Sequence, residues 1–252
     1  LNIFLAGLGT VGKTLFDQIN SQKRALLTNY GIDLRLIGLA NSKNMAIEEG
    51  GIKTYPKVKL SRKNAKFNVG RFVDKMIGLN YRNSIFVDCS AHDIVTREYE
   101  KILNRSISVV TPNKLAASGP YDKYLQLKDL AKKRNVKYLF ETNVGAGLPV
   151  LNTLNDLLKS GDRITSIEAV LSGSLNFIFN TISDKVSFYE AVNMACEKGL
   201  AEPDPRIDLS CKDVARKILI LSREAGDNVE IDDVKINSFL PDPCKRTASI
   251  ND

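Results

Sequence analysis

The residues best suited to chemistry lie between Glu202 and Lys217, in the run Glu-Pro-Asp-Pro-Arg-Ile-Asp-Leu-Ser-Cys-Lys-Asp-Val-Ala-Arg-Lys. Proline is excluded from helix interiors, so Pro203 and Pro205 are expected to hold the first half extended, presenting Glu202, Asp204, Arg206 and Asp208 from an ordered loop. A helix should follow. Ser210 and Asp213 have the spacing of a capping box, and Val214, Ile218 and Leu221 continue at helical period. At about 100° per residue, Lys217 falls roughly 60° from the centre of that apolar stripe, one turn after Asp213. Two readings stand on periodicity alone. Lys217 either snorkels along an apolar edge to pair with Asp213, or is a partly buried ammonium beside several acids, suited to substrate binding or proton transfer.

A second group opens the chain. The apolar strand Leu1 to Ala6 runs into Gly7-Leu8-Gly9-Thr10-Val11-Gly12 and then a helix through about Ile19, which puts G-x-G-x-x-G in the context of strand, turn and helix. Gly7 permits the tight turn, Gly9 lets backbone approach a pyrophosphate, and Gly12 lets helix pack on strand, while helix N–H groups meet the phosphate. The next strand, Ile32 to Leu39, ends in Ala40-Asn41-Ser42-Lys43, where an NAD-preferring fold would place an acid for the ribose 2′-hydroxyl. A hydroxyl and a cation stand there instead. They suit a 2′-phosphate, so NADP is the expected dinucleotide, with NAD possible.

The elements that must position these groups alternate. A helix near Val69 to Leu79 precedes the strand Ile85 to Cys89, then a helix from about Asp93 to Asn104, the strand Ile107 to Thr111, the helix Tyr121 to Arg134 and the strand Lys137 to Phe140. That alternation predicts a parallel sheet with crossover helices, and residues just after such strands face ligand. Ser90 and Ala91 follow one strand; Thr111-Pro112-Asn113-Lys114 follows the next, where Lys114 is placed to reach a cofactor or a substrate oxyanion. Glu141 and the glycine-rich turn after it, with Gly145 and Gly147, make either a hard-cation site of carboxylate and carbonyls or a domain hinge. The stretch from Asn44 to about Asn68 has no readable period.

Beyond Pro149 the pattern changes to a helix to about Lys159, a strand from Arg163 to Leu171, the turn Ser172-Gly173-Ser174, a helix through Phe179, and a Ser187-x-x-Glu190 capped helix closed by Gly199. The fold class expected is α/β: a Rossmann-type parallel-sheet nucleotide-binding domain over 1–148, followed by an α+β domain over 149–235 and an irregular tail over 236–252. At 252 residues, with 43% hydrophobic and 26% charged, the composition is that of a soluble globular protein. No run reaches the ~20 apolar residues that span a bilayer, and the chain opens directly on a strand, so a cytoplasmic protein is expected. Cys89, Cys196, Cys211 and Cys244 stand singly, without disulfide or zinc spacing. The net charge of +7 is spread in short clusters without interleaved aromatics, which argues against nucleic acid and suits an anionic cofactor. His92 is the single histidine and reads as a surface polar residue, so a His-dependent dehydrogenase pair or a zinc site has little to rest on.

Gly-Leu-Gly-Thr-Val-Gly at 7–12, Thr-Pro-Asn-Lys at 111–114, Thr-Asn-Val-Gly-Ala-Gly-Leu-Pro at 142–149, Leu-Ser-Gly-Ser-Leu-Asn at 171–176 and the run from Glu202 to Lys217 together resemble homoserine dehydrogenases, most of all the dehydrogenase half of bifunctional aspartokinase/homoserine dehydrogenases. The resemblance implies NAD(P)H-dependent interconversion of L-aspartate 4-semialdehyde and L-homoserine, on the route to threonine, methionine and isoleucine. It implies that Lys217 is the proton donor to the aldehyde oxygen, Lys114 helps hold the reacting groups and Asp213 orients Lys217. Glu202 and Asp208 would bind the substrate ammonium, and Gly173 would approach substrate through backbone. A monovalent cation, usually sodium, would sit at Glu141, Val144, Ala146 and Leu148. The second domain would serve substrate binding, catalysis and dimerisation, giving a homodimer or higher homo-oligomer, with an N-terminal aspartokinase fusion possible. The sequence departs from the family at Ile207, where a second acid is usual, and at Cys211, where a glycine is usual; the family's C-terminal glycine- and alanine-rich segment is not among the 252 residues. Two other readings stay open: an acylating semialdehyde dehydrogenase using Cys89 as thiolate, and a nucleotide-sensing or dimerisation domain without chemistry of its own.

Overall fold

Alternate residues of the first strand, β1 (Asn2–Ala6), face opposite apolar layers, and this sets the architecture. In the computed structural model, which describes residues 1–53, 68–201 and 204–240, the chain divides into two compact units, Leu1–Asn143 and Val144–Asp252. In the first unit, β1 is followed by α1 (Thr10–Tyr30), β2 (Arg35–Ala40), β3 (Met45–Ile47), α2 (Val69–Leu79), β4 (Ser84–Asp88), α3 (Asp93–Thr96), α4 (Tyr99–Asn104), β5 (Ser108–Val110), α5 (Tyr121–Lys133) and β6 (Tyr138–Leu139). The sheet order is β3-β2-β1-β4-β5-β6. All neighbours pair in parallel except β2 with β3. The chain reverses its winding between β1 and β4, so the crevice that ligands use in such sheets opens beyond the ends of these two strands.

Ile3 and Leu5 pack with Phe16 and Ile19 of α1 and with Leu36, Leu39 and Val87 on one face. On the other, Phe4, Phe72, Phe86, Tyr99 and Tyr138 form a ladder of ring contacts from the middle of the sheet toward its β6 edge. Edge-on aromatic pairs of this kind add to the burial of the rings themselves. Gly38 of β2 makes room for the ladder, since a Cβ there would lie 2.7 Å from the Phe4 ring and 2.9 Å from that of Phe72.

The sequence reading and the structure differ at defined places. α1 continues past Ile19 to Tyr30 and stops at Gly31, whose φ of 66° ends the helix in the left-handed region. The helix expected over 93–104 is two short ones, α3 and α4. β3 falls in the stretch that showed no period, because three residues on an antiparallel edge are too few to reveal one.

The second unit contains α6 (Val150–Lys159), α7 (Gly173–Thr181), α8 (Phe188–Glu197), α9 (Pro205–Leu209) and α10 (Lys212–Ala225). Its core joins Ile178 of α7 to Ala191, Val192 and Ala195 of α8 and Leu209 of α9. The Ser187 capping box forms as expected. The strand expected from Arg163 to Leu171 does not form: β propensity needs a ladder partner to become a strand, and among the described residues none pairs with this segment. Pro205, expected to keep the chain extended, occupies the first turn of α9, where its missing N–H costs nothing. Gly38→Ala should lower stability by about 1–3 kcal/mol through overpacking. A thermal midpoint equal to wild type would show that the rings around Gly38 can shift freely.

Candidate functional site

At two of its glycines, the turn after β1 is built by contacts that leave no space for a side chain. Gly7 has φ +94°, and a Cβ on it would lie 2.6 Å from the Ser90 amide nitrogen; one on Gly12 would lie 1.9 Å from the Gly7 carbonyl oxygen. Gly9 has nothing within 4 Å of a Cβ position, so its backbone faces open space. Gly9 is also the N-cap of α1 and supplies no capping side chain, which leaves the N–H groups of the first turn, at Thr10, Val11 and Gly12, for an anion. Thr10 and Val11 are exposed and Gly12 is buried. The residues present fit a dinucleotide pyrophosphate.

At the end of β2, the Asn41 side-chain oxygen accepts the N–H groups of Lys43 and Asn44, both at 2.8 Å. This Asx turn leaves Ser42 and Lys43 exposed beyond the strand. Ala91 is exposed and Ser90 half-buried after β4; Thr111 is buried and Lys114 half-buried after β5. Thus the groups expected at the nucleotide lie on consecutive strand ends of one sheet.

Beneath these loops is Asp88, which sequence reasoning missed. It is fully buried and accepts the Ser90 N–H at 2.7 Å, the Tyr99 hydroxyl at 2.6 Å and the Asn113 amide at 3.1 Å. Burial raises its pKa, opposed by hydrogen bonds from Ser90, Tyr99 and Asn113. The visible signal was an acid closing the apolar run Ile85-Phe86-Val87. Burial and the Asp88 charge also push the neighbouring Cys89 thiol up to about 12, so the thiolate that an acylating mechanism needs is disfavoured. His92 is exposed, as expected.

In the second unit, Lys217 points inward, with its side chain 18% exposed. Its Nζ donates to the Leu171 carbonyl at 2.8 Å and pairs with Asp213 at 2.7 Å. The pair with Asp213 forms, and the ammonium is held in addition by a backbone carbonyl from a distant turn, while Asp213 stays half-exposed. Leu171 leads into α7, whose N-cap Ser172 accepts the Leu175 N–H at 3.2 Å, leaving Gly173 exposed at the first position. Ser174 donates to Asp208 Oδ1 at 2.9 Å, so one turn connects both the lysine and an acid. Neither contact is readable from the sequence at Leu171 or Ser174, since a backbone carbonyl leaves no signal there and a serine's partner 34 residues away follows no spacing rule.

The expected Ser210 cap does not form, because α9 intervenes and Ser210 instead donates to the Ile207 carbonyl at 2.7 Å. Cys211 takes the N-cap of α10 with φ 59° and no side-chain cap bond. Asp204 caps α9 and pairs with Arg206, which holds its carboxyl below the usual range. Glu202 lies outside the described residues. At the glycine-rich turn, Glu141 is half-buried, Val144 buried, and Ala146 and Leu148 exposed. The left-handed residues are Gly145 at φ 76° and Ala146 at φ 51°, not Gly147. The Leu148 carbonyl already accepts the Val150 N–H at 2.9 Å, leaving its second lone pair for any cation.

The glycine turn, the sheet order and the switch point define an NAD(P)-binding protein of the doubly wound α/β class. The chain belongs to the homoserine dehydrogenase family: the model described as homoserine dehydrogenase, NAD binding domain, matches residues 7–141, and that described as homoserine dehydrogenase matches residues 149–249. It is 40% identical over 250 residues to bifunctional aspartokinase/homoserine dehydrogenase 2, chloroplastic, of Arabidopsis thaliana, covering 98% of this chain and 27% of that protein. The Haemophilus influenzae bifunctional aspartokinase/homoserine dehydrogenase is 40% identical over 247 residues, covering 96% of this chain and 30% of that one. The chain thus spans less than a third of the length of these relatives. A hyperthermophilic archaeal homoserine dehydrogenase solved in complex with NADPH superposes with a TM-score of 0.76 at 28% identity, over 93% of this chain and 75% of that one.

Cys211→Gly should stabilise the protein by roughly 0.5–1 kcal/mol, since a left-handed conformation strains a residue with a Cβ more than it costs glycine in chain entropy. A thermal midpoint that fails to rise would show that the Cys211 side chain contributes packing that offsets the strain.

Proposed function

We propose that this chain catalyses the interconversion of L-aspartate 4-semialdehyde and L-homoserine with NADP(H). The observation that carries the reading is Lys217, drawn inward and fixed between Asp213 and the Leu171 carbonyl on the turn that presents Gly173. Bound NADPH supplies the hydride that reduces the aldehyde carbon. As that carbon becomes tetrahedral, negative charge develops on its oxygen, and the Lys217 ammonium both stabilises that charge and delivers the proton that completes the alcohol. In the reverse direction the neutral amine takes that proton back. Asp213 and the Leu171 carbonyl keep the ammonium on one line of approach, which limits the reorganisation the reaction requires.

Asp208, fixed by Ser174, takes the substrate ammonium together with Glu202, and the exposed backbone at Gly173 lies against the substrate. On the nucleotide side, Gly7, Gly9, Thr10, Val11 and Gly12 hold the pyrophosphate, and Ser90, Ala91, Thr111 and Lys114 line the nicotinamide end, where Lys114 also helps hold the reacting groups. Asn41 shapes the turn from which Ser42 and Lys43 meet a 2′-phosphate, which makes NADP the preferred coenzyme; the NADPH bound by the archaeal neighbour supports this. Glu141, Val144, Ala146 and Leu148 hold a monovalent cation, supported by the left-handed pair at 145 and 146. The domain division is 1–148 and 149–235, with dimerisation through the second part. An aspartokinase partner in the same polypeptide is supported by the two-activity names of the relatives. The place of work we propose is the cytoplasm; separately, no helix among the described residues is long and apolar enough to cross a membrane.

Lys217→Met should lower kcat for NADPH oxidation with aspartate semialdehyde by about 10²- to 10⁴-fold, the range for losing a general acid, with NADPH affinity unchanged. Full turnover in that variant would remove Lys217 from the reaction. Lys43→Ala should raise KM for NADPH several-fold and leave that for NADH alone; equal effects on both coenzymes would assign Lys43 no part in 2′-phosphate recognition.

A further inference from the structure

The buried carboxylate of Asp88 is not used in the reaction just described, yet it lies under both loops that the nucleotide side of that reaction uses. We infer that Asp88 is a positioning residue for Lys114: it anchors Asn113 through one carboxylate oxygen while the other anchors the 89–90 backbone. The inference rests on the proposed role of Lys114.

The two oxygens are divided between the two loops. Oδ1 accepts the Ser90 N–H at 2.7 Å, and the Ser90 amide is the wall against which Gly7 turns. Oδ2 accepts the Tyr99 hydroxyl at 2.6 Å and the Asn113 side-chain amide at 3.1 Å. Asn113 is the residue immediately before Lys114, and every polar atom of its side chain is committed. Its amide nitrogen also donates to the His92 carbonyl at 3.2 Å, and its side-chain oxygen accepts the Leu115 N–H at 3.1 Å, so the bonds from Asn113 straddle Lys114. Thr111 closes the arrangement: its hydroxyl donates to the Asp88 carbonyl at 2.9 Å, accepts the Asn113 N–H at 2.8 Å, and lies 3.0 Å from the Tyr99 hydroxyl. The Asn143 side chain, with its nitrogen facing them, donates to the Pro112 carbonyl at 2.9 Å and the Thr111 carbonyl at 3.1 Å.

The partners of Asp88 among the described residues are neutral donors. A buried carboxylate satisfied in this way suits fixed geometry more than net stabilisation, because donors of known direction are held to one acceptor in a low-dielectric setting. Asn113 has a short side chain, so displacing its amide moves the backbone that carries Lys114. An error of about 1 Å there is enough to weaken a group that must meet a reacting atom.

Asp88→Asn discriminates between the two oxygens. An asparagine can keep its oxygen on Ser90, which leaves the glycine turn in place, but it then turns an NH₂ toward the Asn113 NH₂, and two donors face each other. In the full protein, kcat for NADPH oxidation with aspartate semialdehyde is measured for wild type, Asp88→Asn, Lys114→Ala and the double variant, beside NADPH affinity and thermal midpoint. The expected result is a kcat loss of about 10- to 100-fold in Asp88→Asn with NADPH affinity within about threefold of wild type. In the Lys114→Ala background the same substitution should cost less than about threefold, because its effect runs through that lysine. Tyr99→Phe, which removes only a hydroxyl from Oδ2, should lose about three- to tenfold in kcat with the same dependence on Lys114 and reports if Asp88→Asn fails to fold. Losses that multiply independently of Lys114, or a lowered midpoint with kcat per folded molecule unchanged, would overturn the inference and leave Asp88 as structural only. Full turnover in Lys114→Ala would instead remove the role of Lys114 and this inference with it, while a Lys217 dependence in the same assays would keep the proposed reaction.

Discussion

The nucleotide-binding half depends on one steric constraint: backbone from the first turn must pass closer to the end of β4 than any Cβ permits. Gly7 meets the peptide between residues 89 and 90, and Gly12 of α1 meets the Gly7 carbonyl. The approach sets the angle at which α1 leaves the sheet, and hence where its first-turn N–H groups point. The wall it meets is itself fixed, since the Ser90 N–H is bonded to a fully buried carboxylate. Strand end, glycine turn and helix start are therefore one rigid assembly, in which the phosphate donors need little ordering when an anion arrives.

The second unit reaches rigidity by another route. Its short helices have little sheet to rest on, and polar contacts define the position of the chemically useful groups. Ser172 caps α7, Ser174 in the same turn bonds Asp208, and the Leu171 carbonyl just ahead of it receives Lys217. A four-residue stretch thus links α7 to both α9 and α10. The family's motif around Ser172 and Gly173 acquires a physical reason: glycine keeps the surface open for a ligand while its neighbours are fully engaged in holding side chains from elsewhere.

Much of this was legible from residue order. Parallel strands buried on both faces read as short apolar runs, and their alternation with amphipathic helices gave the sheet; the glycine spacing gave the turn, and the inward offset of Lys217 from its apolar stripe was visible at 100° per residue. What was not legible depended on partners remote in sequence. The segment from Arg163 has the composition of a strand, but composition does not supply a neighbour to pair with. Proline in a sequence signals a bar to helix, but Pro205 stands at the one helical position that favours it, and the spacing of Ser210 and Asp213 mimics a cap only where no α9 precedes it. Asp88 escaped notice because its partners are a tyrosine and an asparagine from two other segments, with no spacing rule to join them.

The length of α1 carries a mechanical consequence. The helix has 21 residues, yet its buried residues are confined to the first half, at Gly12, Phe16 and Ile19; from Ser21 to Tyr30 only Leu26 is even half-buried. At 1.5 Å per residue, about 15 Å of helix continues past the part that packs, held by the good helix formers from Gln22 to Leu27 and by the Gly31 stop. Helix–coil equilibria fray from the end with least tertiary support. The molecule therefore confines the looseness of its longest helix to the far terminus, and keeps still the terminus whose dipole faces the phosphate.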